Sequence, residues 1–170
     1  KLRGNLDASE YRNVVLGLVF LKYISDRFDK RYKELVEEGE GFEEDRDEYT
    51  AENVFWVPTD ARWNVIADAA HQPNIGVVID NAMTSIEKDN TRLKNVLPKN
   101  YARPELDKIK LGEVVEIFDN VNMHSQGEDF DILGRIYEYC LNQFAAEAKQ
   151  KGGEFYTPAC IVRTLVEVLE

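Results

Sequence analysis

The chain has 170 residues, of which 44% are hydrophobic and 31% are charged. This balance is typical of a globular protein that buries a core without disulfides, and it excludes a disordered chain. The net charge of −11 argues against a domain that holds nucleic acid by its overall charge, because such affinity depends on basic groups that neutralise phosphates.

The cysteines and histidines indicate neither a metal site nor a catalytic site. Cys140 and Cys160 have no CxxC partner, which favours free thiols in a reducing compartment. His71 and His124 have no carboxylate or cysteine at ligand spacing, and no nucleophile motif is present, so no metal ligand or catalytic residue is predicted. Since no leader opens the chain and no apolar run approaches the roughly 20 residues of a bilayer span, we expect a cytoplasmic protein without a membrane partner.

The charge is unevenly distributed along the chain. Residues 34–52 contain ten acidic residues and only one basic residue, Arg46, so this segment alone carries a charge of −9. Residues 87–110 contain seven basic and four acidic residues, a balance of +3. The asymmetry is compatible with a basic face on an acidic protein, although ordinary solvated surface is an alternative interpretation.

The first predicted element is a long helix. It is expected to begin after Asp7, with Glu10 completing a capping box, and to stop at Gly39. Its apolar residues recur at the spacing of one buried face: Tyr11, Val14, Val15, Leu18, Leu21, Ile24, Phe28, Tyr32 and Leu35. A helix of about 30 residues should span the whole domain.

The next segment is predicted to be irregular. Residues 37–52 have two glycines and no helical period, so we expect an exposed, mobile loop. The stretch VFWVP at 54–58 is the only one that suggests a strand, and Thr59 is expected to cap a helix that carries Trp63, Ile66 and Ala70. Trp56 and Trp63 could stack on bases, but a packing clamp is the favoured interpretation.

Three more helices are predicted farther along the chain. Asn74 is expected to cap the first of them, which buries Ile75, Val78, Ile79, Ala82, Met83 and Ile86. The second covers residues 111–120 and places Val114, Ile117 and Phe118 inside. The third opens with a capping box at Ser125 and Glu128 and ends at Gly152 and Gly153. We therefore predict an all-α, multi-helix fold with one long first helix.

The last 20 residues, KGGEFYTPACIVRTLVEVLE, begin a helix that has no closing signal. Thr157 and Pro158 form an N-cap and N1 pair, which leaves backbone N–H groups available to an acceptor such as a carboxylate. From the residues alone, a simple helix cap is the alternative interpretation. We expect the chain to be a piece of a longer protein.

Four blocks in the same order resemble a known family. GGEFYTP followed by an apolar helix resembles the entry motif of N6-adenine DNA methyltransferases, above all the modification subunit of type I restriction-modification systems. RGNLDASEYRNVVLGLVFLKYISDRF, FWVPTDARW and FDILGRIYEYCLNQFA resemble the N-terminal signature, the second block and the helix before the methylase motif of that subunit. The resemblance therefore covers almost the whole chain.

The resemblance implies two domains and a cofactor. Residues 1–150 would be the N-terminal helical domain, and residues 151–170 would be the start of an α/β domain that uses S-adenosylmethionine. The residues that would line the cofactor pocket are Glu154, Phe155, Tyr156, Thr157, Pro158 and Ala159. The family's glycine-rich FxGxG-type turn and its Asn-Pro-Pro-Phe or Asn-Pro-Pro-Tyr loop do not occur in these 170 residues, so we expect this chain alone to be inactive.

The resemblance also implies partners. These are double-stranded DNA, a specificity subunit, a restriction subunit and a second modification subunit. The residues predicted to contact phosphate lie in the stretch of positive balance: Arg92, Lys94, Lys99 and Arg103. Two alternatives remain open, namely a scaffold domain that only docks other subunits, and the front end of a single-chain restriction and modification enzyme.

Overall fold

The computed structural model describes residues 8–120, with side chains from residue 13 onward. Five α-helices occur in this part of the chain: α1 (Ala8–Glu38), α2 (Arg46–Ala51), α3 (Trp63–Asp68), α4 (Ile75–Asp89) and α5 (Lys108–Asp119). Two short 3-10 helices, Thr59–Ala61 and Thr91–Leu93, lie before α3 and after α4. Residues 8–120 contain no strand, so the prediction of an all-α fold is confirmed.

Helix α1 follows its predicted pattern. The apolar residues at positions 14, 15, 18, 21, 24, 28 and 35 are all buried in the core. At its C-terminal end Gly39 adopts a φ of +72°, and its N–H donates to the carbonyl of Leu35 at 3.2 Å. The helix therefore stops at the predicted glycine, because a residue without Cβ takes the left-handed conformation without strain.

The prediction of a mobile loop over the acidic segment is wrong for residues 46–51, which form α2. Asp45 caps this helix by accepting the N–H of Asp47 at 3.0 Å. Tyr49 is fully buried, and its ring stacks on Phe28 of α1 with 4.7 Å between ring centroids. Tyr49 is the one buried residue of α2, so a single aromatic side chain anchors this helix to the core.

Three ion pairs connect the acidic segment to residues 17 or more positions away in the chain. Arg31 of α1 bonds Glu48 at 3.1 Å, Arg62 bonds Glu44 at 2.7 Å, and Arg46 bonds Asp89 at 3.0 Å. Arg62 also lies over the rings of Phe28 and Tyr32, 5.1 Å from each centroid. These contacts come from residues far away in the sequence, so the local pattern did not reveal them.

Residues 54–58 belong to no helix and form no strand. The side chain of Asn90 takes the place of a strand partner, because it accepts the N–H of Trp56 at 3.0 Å and donates to its carbonyl at 2.9 Å. Thr59 begins a 3-10 helix rather than the predicted α-helix, and α3 begins at Trp63 without a side-chain cap. Trp56 and Trp63 are both buried, which confirms the packing clamp.

Helices α4 and α5 close the core around a buried cluster that includes Ile79, Met83 and Phe118. Asn74 occupies the N-cap position of α4, but its side chain makes no capping hydrogen bond. Helix α5 begins earlier than predicted because Asp107 caps it, accepting the N–H of Ile109 at 2.9 Å. Ile117 is 38% exposed, contrary to the prediction.

Candidate nucleic-acid interface

The four residues predicted to contact phosphate lie on one connection, which runs between α4 and α5 over residues 90–107; we call it the basic loop. Four of its apolar side chains are buried, and they recur about every four residues: Leu93, Leu97, Tyr101 and Leu106. The hydroxyl of Tyr101 donates to the carbonyl of Val14 in α1 at 2.8 Å. Burial raises the pKa of Tyr101, so this hydroxyl keeps its proton and remains a donor.

Two carboxylates of α4, two helical turns apart, hold the backbone of the basic loop. Asp80 accepts the N–H of Tyr101 at 3.0 Å and that of Ala102 at 2.8 Å. Glu87 accepts the N–H of Leu97 at 2.8 Å and also bonds the ammonium of Lys99. Charge-assisted hydrogen bonds of this kind are about twice as strong as neutral ones, so the loop is a fixed platform on α4.

The charge of Glu87 fits this role. Burial alone would raise the pKa of Glu87, but the hydrogen bonds from Lys99 and from the backbone of the loop outweigh it and lower the pKa. The carboxylate is therefore ionised at neutral pH although it is buried.

A third contact comes from the start of α5. The ammonium of Lys108 donates to the carbonyls of Tyr101 and Arg103 at 2.6 and 2.7 Å. Burial lowers the pKa of Lys108. The ammonium of Lys108 therefore helps to fix the loop, and its charge is directed at backbone carbonyls of the loop.

The structure separates the four predicted residues into two kinds. Arg92 and Lys94 are exposed, and within residues 8–120 neither makes an ion pair. Arg92 lies over the ring of Phe55, 5.9 Å from its centroid. Lys99 is paired with Glu87, and Arg103 is half-buried and engaged in an interaction of its own. The most accessible positive charge of the basic loop is therefore that of Arg92 and Lys94.

Other residues near this surface were not singled out from the sequence. Lys88 is exposed in the last turn of α4, directly before the basic loop. Arg46 lies over the ring of Trp56, 5.5 Å from its centroid, while it bonds Asp89. The sequence offered one signal for Arg46, since it is the single basic residue of the acidic segment. The anchoring carboxylates Asp80 and Glu87 are spaced seven residues apart, a signal for a shared helix face that charge counting overlooks.

The part of the chain that the structure describes contains no group of three or more His, Cys, Asp or Glu side chains that could hold a metal ion. His71 is not alone as the sequence suggested, because its Nε2 lies 2.7 Å from a carboxylate oxygen of Glu116 on the surface.

No helix within residues 8–120 is long and apolar enough to cross a membrane. The predicted cofactor residues, Glu154, Phe155, Tyr156, Thr157, Pro158 and Ala159, lie outside the described residues, as does the helix predicted from Ser125.

Two protein families match the chain in succession. Residues 1–118 match the family described as HsdM N-terminal domain, and residues 128–170 match the family described as N-6 DNA Methylase. The first match includes every described helix except the last residue of α5, and all four basic residues of the interface.

Individual relatives agree with these matches. The chain is 35% identical over 186 aligned residues to the type I restriction enzyme MjaIX methylase subunit of Methanocaldococcus jannaschii, an alignment that covers 100% of this chain and 33% of the relative. It is 32% identical to the HindI methylase subunit of Haemophilus influenzae, over 67% of this chain and 30% of the relative. The MpnII methylase subunit of Mycoplasma pneumoniae is 22% identical, over 99% and 37%.

The chain thus spans about a third of the length of the curated relatives that it matches. Its first 118 residues carry the HsdM N-terminal domain, and the chain belongs to the family of type I restriction enzyme methylase subunits.

Proposed function

We propose that this chain is the N-terminal part of a modification subunit that transfers a methyl group from S-adenosylmethionine to N6 of adenine in double-stranded DNA. The observation that carries the proposal is the order of the two family matches, with an HsdM N-terminal domain followed by an N-6 DNA Methylase segment. In this proposal residues 1–150 are the helical domain, and residues 151–170 begin the domain that binds the cofactor.

The cofactor assignment rests on the residues that resemble the methylase entry motif. Glu154, Phe155, Tyr156, Thr157, Pro158 and Ala159 would border the S-adenosylmethionine pocket, with Thr157 and Pro158 starting a helix whose free N–H groups suit a carboxylate. The 170-residue chain lacks the glycine-rich turn and the base-holding loop, so it should not transfer methyl groups alone.

A methyl-transfer assay tests this part directly. The full-length protein, assembled with a specificity subunit, should move a tritiated methyl group from S-adenosylmethionine to DNA that contains its target site. The 170-residue chain should leave the DNA unlabelled. If the full-length assembly labels cytosine, or labels no DNA at all, the proposed reaction is wrong.

For the helical domain we propose a role in clamping DNA through the basic loop. Arg92 and Lys94 are exposed cations on a backbone that Asp80, Glu87 and Lys108 hold in place. Contacts to phosphate oxygens position a protein on DNA without reading its sequence, which suits an accessory domain beside a separate specificity subunit. Lys99 and Arg103 would contribute less, because both already have partners.

Charge reversal tests the clamp. The double variant Arg92→Glu, Lys94→Glu in the full assembly should bind DNA much more weakly than the wild type, since each change removes an attraction and adds a repulsion. Lys30→Glu, Lys33→Glu is the matched control, because both lysines are exposed on α1 and the net charge changes equally. Equal DNA affinity of the two double variants would rule out the basic loop as the DNA contact.

A second candidate is a scaffold that only docks other subunits. It is favoured by the acidic segment, within which Arg46–Ala51 form a helix and Val36 and Phe42 are about half exposed. The proposed partners are a specificity subunit, a restriction subunit and a second modification subunit. A pull-down of the specificity subunit by this chain, together with a gel shift that shows no effect on DNA, would favour the scaffold over the clamp.

A further inference from the structure

Three segments that lie far apart in the sequence meet at the C-terminal end of α4. The side chain of Asn90, directly after this helix, bonds the backbone N–H and carbonyl of Trp56 at 3.0 and 2.9 Å. Arg46, the first residue of α2, bonds Asp89 at 3.0 Å and lies over the ring of Trp56. The single basic residue of the acidic segment is therefore held beside the start of the basic loop.

Four exposed cations belong to this end of α4, and we call them the cationic surface: Arg46, Lys88, Arg92 and Lys94. Lys88 directly precedes Asp89, and Arg92 lies over the ring of Phe55, the neighbour of Trp56. Asp89 is the carboxylate between them, and its side chain is 21% exposed. Four positive charges and this one negative charge leave a balance of +3.

The carboxylates that neighbour Arg46 in the sequence have other partners or directions. Glu48 bonds Arg31 of α1 at 3.1 Å, and it lies two residues after Arg46, roughly 200° around the axis of α2. Asp45 accepts the backbone N–H of Asp47 at 3.0 Å. Asp47 is exposed, roughly 100° around the axis from Arg46. Arg46 therefore presents its charge towards α4, away from the carboxylate that pairs with α1.

The guanidinium of Arg46 is positioned but not saturated with acceptors. One of its nitrogens donates to Asp89, and its central carbon lies 5.5 Å from the centroid of a Trp56 ring. A guanidinium carries five N–H donors, and Asp89 is the one acceptor that Arg46 bonds within residues 8–120. Its side chain remains 56% exposed. An arginine stacked on an aromatic ring, with a free edge of the planar fork, is well suited to bind a phosphate.

The ion pair with Asp89 does not by itself explain this arrangement, because exposed ion pairs contribute little to stability. We propose that Arg46 and Lys88 bind backbone phosphates together with Arg92 and Lys94, so that DNA crosses the C-terminal end of α4. The inference rests on the proposed clamp and adds to it a contact from α2. One residue of a segment with a charge of −9 would then attract DNA.

The salt dependence of DNA binding tests this inference in the full-length subunit, assembled with a specificity subunit and titrated with its target DNA. The double variant Arg46→Ala, Lys88→Ala should make the slope of log affinity against log salt shallower by about 2, because each phosphate contact contributes about 0.9. Arg46→Lys, which keeps the charge, should keep the wild-type slope. The matched control is Lys30→Ala, Lys33→Ala, which removes two exposed lysines of α1 and should also keep it.

Asp89→Asn separates a phosphate contact from a purely structural ion pair. If Arg46 only held α2 against α4, removal of either partner would weaken DNA binding in the same direction. If Arg46 binds phosphate, Asp89→Asn removes a competing negative charge near the DNA. We therefore expect Asp89→Asn to raise the DNA affinity and Arg46→Ala to lower it.

Comparison with Arg92→Ala, Lys94→Ala distinguishes this inference from the clamp itself. If that loop variant has a shallower slope while Arg46→Ala, Lys88→Ala keeps the wild-type slope, the inference is wrong and the clamp stands. If both double variants keep the wild-type slope and affinity, the clamp and the inference are both wrong. Equal losses of affinity for Arg46→Ala and Asp89→Asn, with an unchanged slope, would also overturn the inference.

Discussion

The close approach of the basic loop to α4 makes a specific prediction for Gly76. This residue lies buried in the first turn of α4. A Cβ at this position would lie 2.1 Å from the carbonyl oxygen of Tyr101, 2.6 Å from its carbonyl carbon and 3.0 Å from Cα of Ala102. All three are backbone atoms, so no rotation of a side chain relieves the clash, and we expect Gly76→Ala to destabilise the chain.

The expected change in the free energy of unfolding is the sum of one stabilising and two destabilising contributions. Alanine normally stabilises a helix by about 1 kcal/mol relative to glycine. Relief of the clash requires the loop to move by roughly 1.5 Å to reach ordinary contact distance, and overpacking of this kind costs about 1–3 kcal/mol. The same movement weakens the two bonds from Asp80 to the loop, and bonds to a charged group contribute about 1.5–3 kcal/mol each. The net loss should be about 2–4 kcal/mol.

Urea denaturation followed by circular dichroism measures this loss. The control is Asn81→Ala, which changes an exposed residue of the same helix and should alter the free energy of unfolding by less than about 0.5 kcal/mol. If Gly76→Ala is as stable as the wild type or more stable, the loop does not pack on α4 as described. The description of the basic loop as a fixed platform on α4 would then be wrong as well.

Three further predictions concern single side chains of the core and its surface. Glu87→Gln should be less stable than the wild type at pH 7, because a carboxylate with a lowered pKa stabilises the folded chain only while it is ionised. The difference should shrink as the pH falls through the lowered pKa of Glu87, and a gap in unfolding free energy that stays constant with pH would contradict this. Asp29→Asn should have a higher free energy of unfolding than the wild type at pH 7. The difference should narrow as the pH falls through the raised pKa of Asp29, since the wild-type carboxyl then takes up its proton in the folded state. A variant that is less stable than the wild type at pH 7 would show that the ionised Asp29 is well satisfied. Tyr101→Phe should lower the free energy of unfolding by about 1 kcal/mol, because it removes only the buried hydrogen bond to Val14; an unchanged denaturation midpoint would mean that this bond does not form.

The sequence predicted the parts of the fold that depend on local signals. Helix α1 has a long apolar period and a terminal glycine, and both were visible without the structure. Helix α2 was missed because six residues with a single buried side chain, Tyr49, produce no period. Its position depends on Arg31 and Arg62, whose partners lie 17 and 18 residues away along the chain, and local patterns do not report pairs at that separation.

The same reasoning explains the outcome for the interface. A count of charges directed attention to residues 87–110, but it weighted all cations equally. Lys99 and Lys108 turned out to be internal contacts of the loop, bonded to Glu87 and to backbone carbonyls. Which cations face solvent is decided by tertiary packing, so the sequence could not separate Arg92 and Lys94 from the others. The cofactor residues 154–159 remain a prediction.

The salt dependence of DNA affinity tests the central claim most directly. The full-length subunit, assembled with a specificity subunit, would be titrated with its target DNA over a series of salt concentrations. Three proteins would be compared: the wild type, the double variant Arg92→Ala, Lys94→Ala of the basic loop, and the control double variant Lys30→Ala, Lys33→Ala. If the basic loop neutralises two phosphates, the slope of log affinity against log salt should become shallower by about 2 for the loop variant, while the control keeps the wild-type slope. Identical slopes and affinities for all three proteins would contradict a DNA contact at this loop.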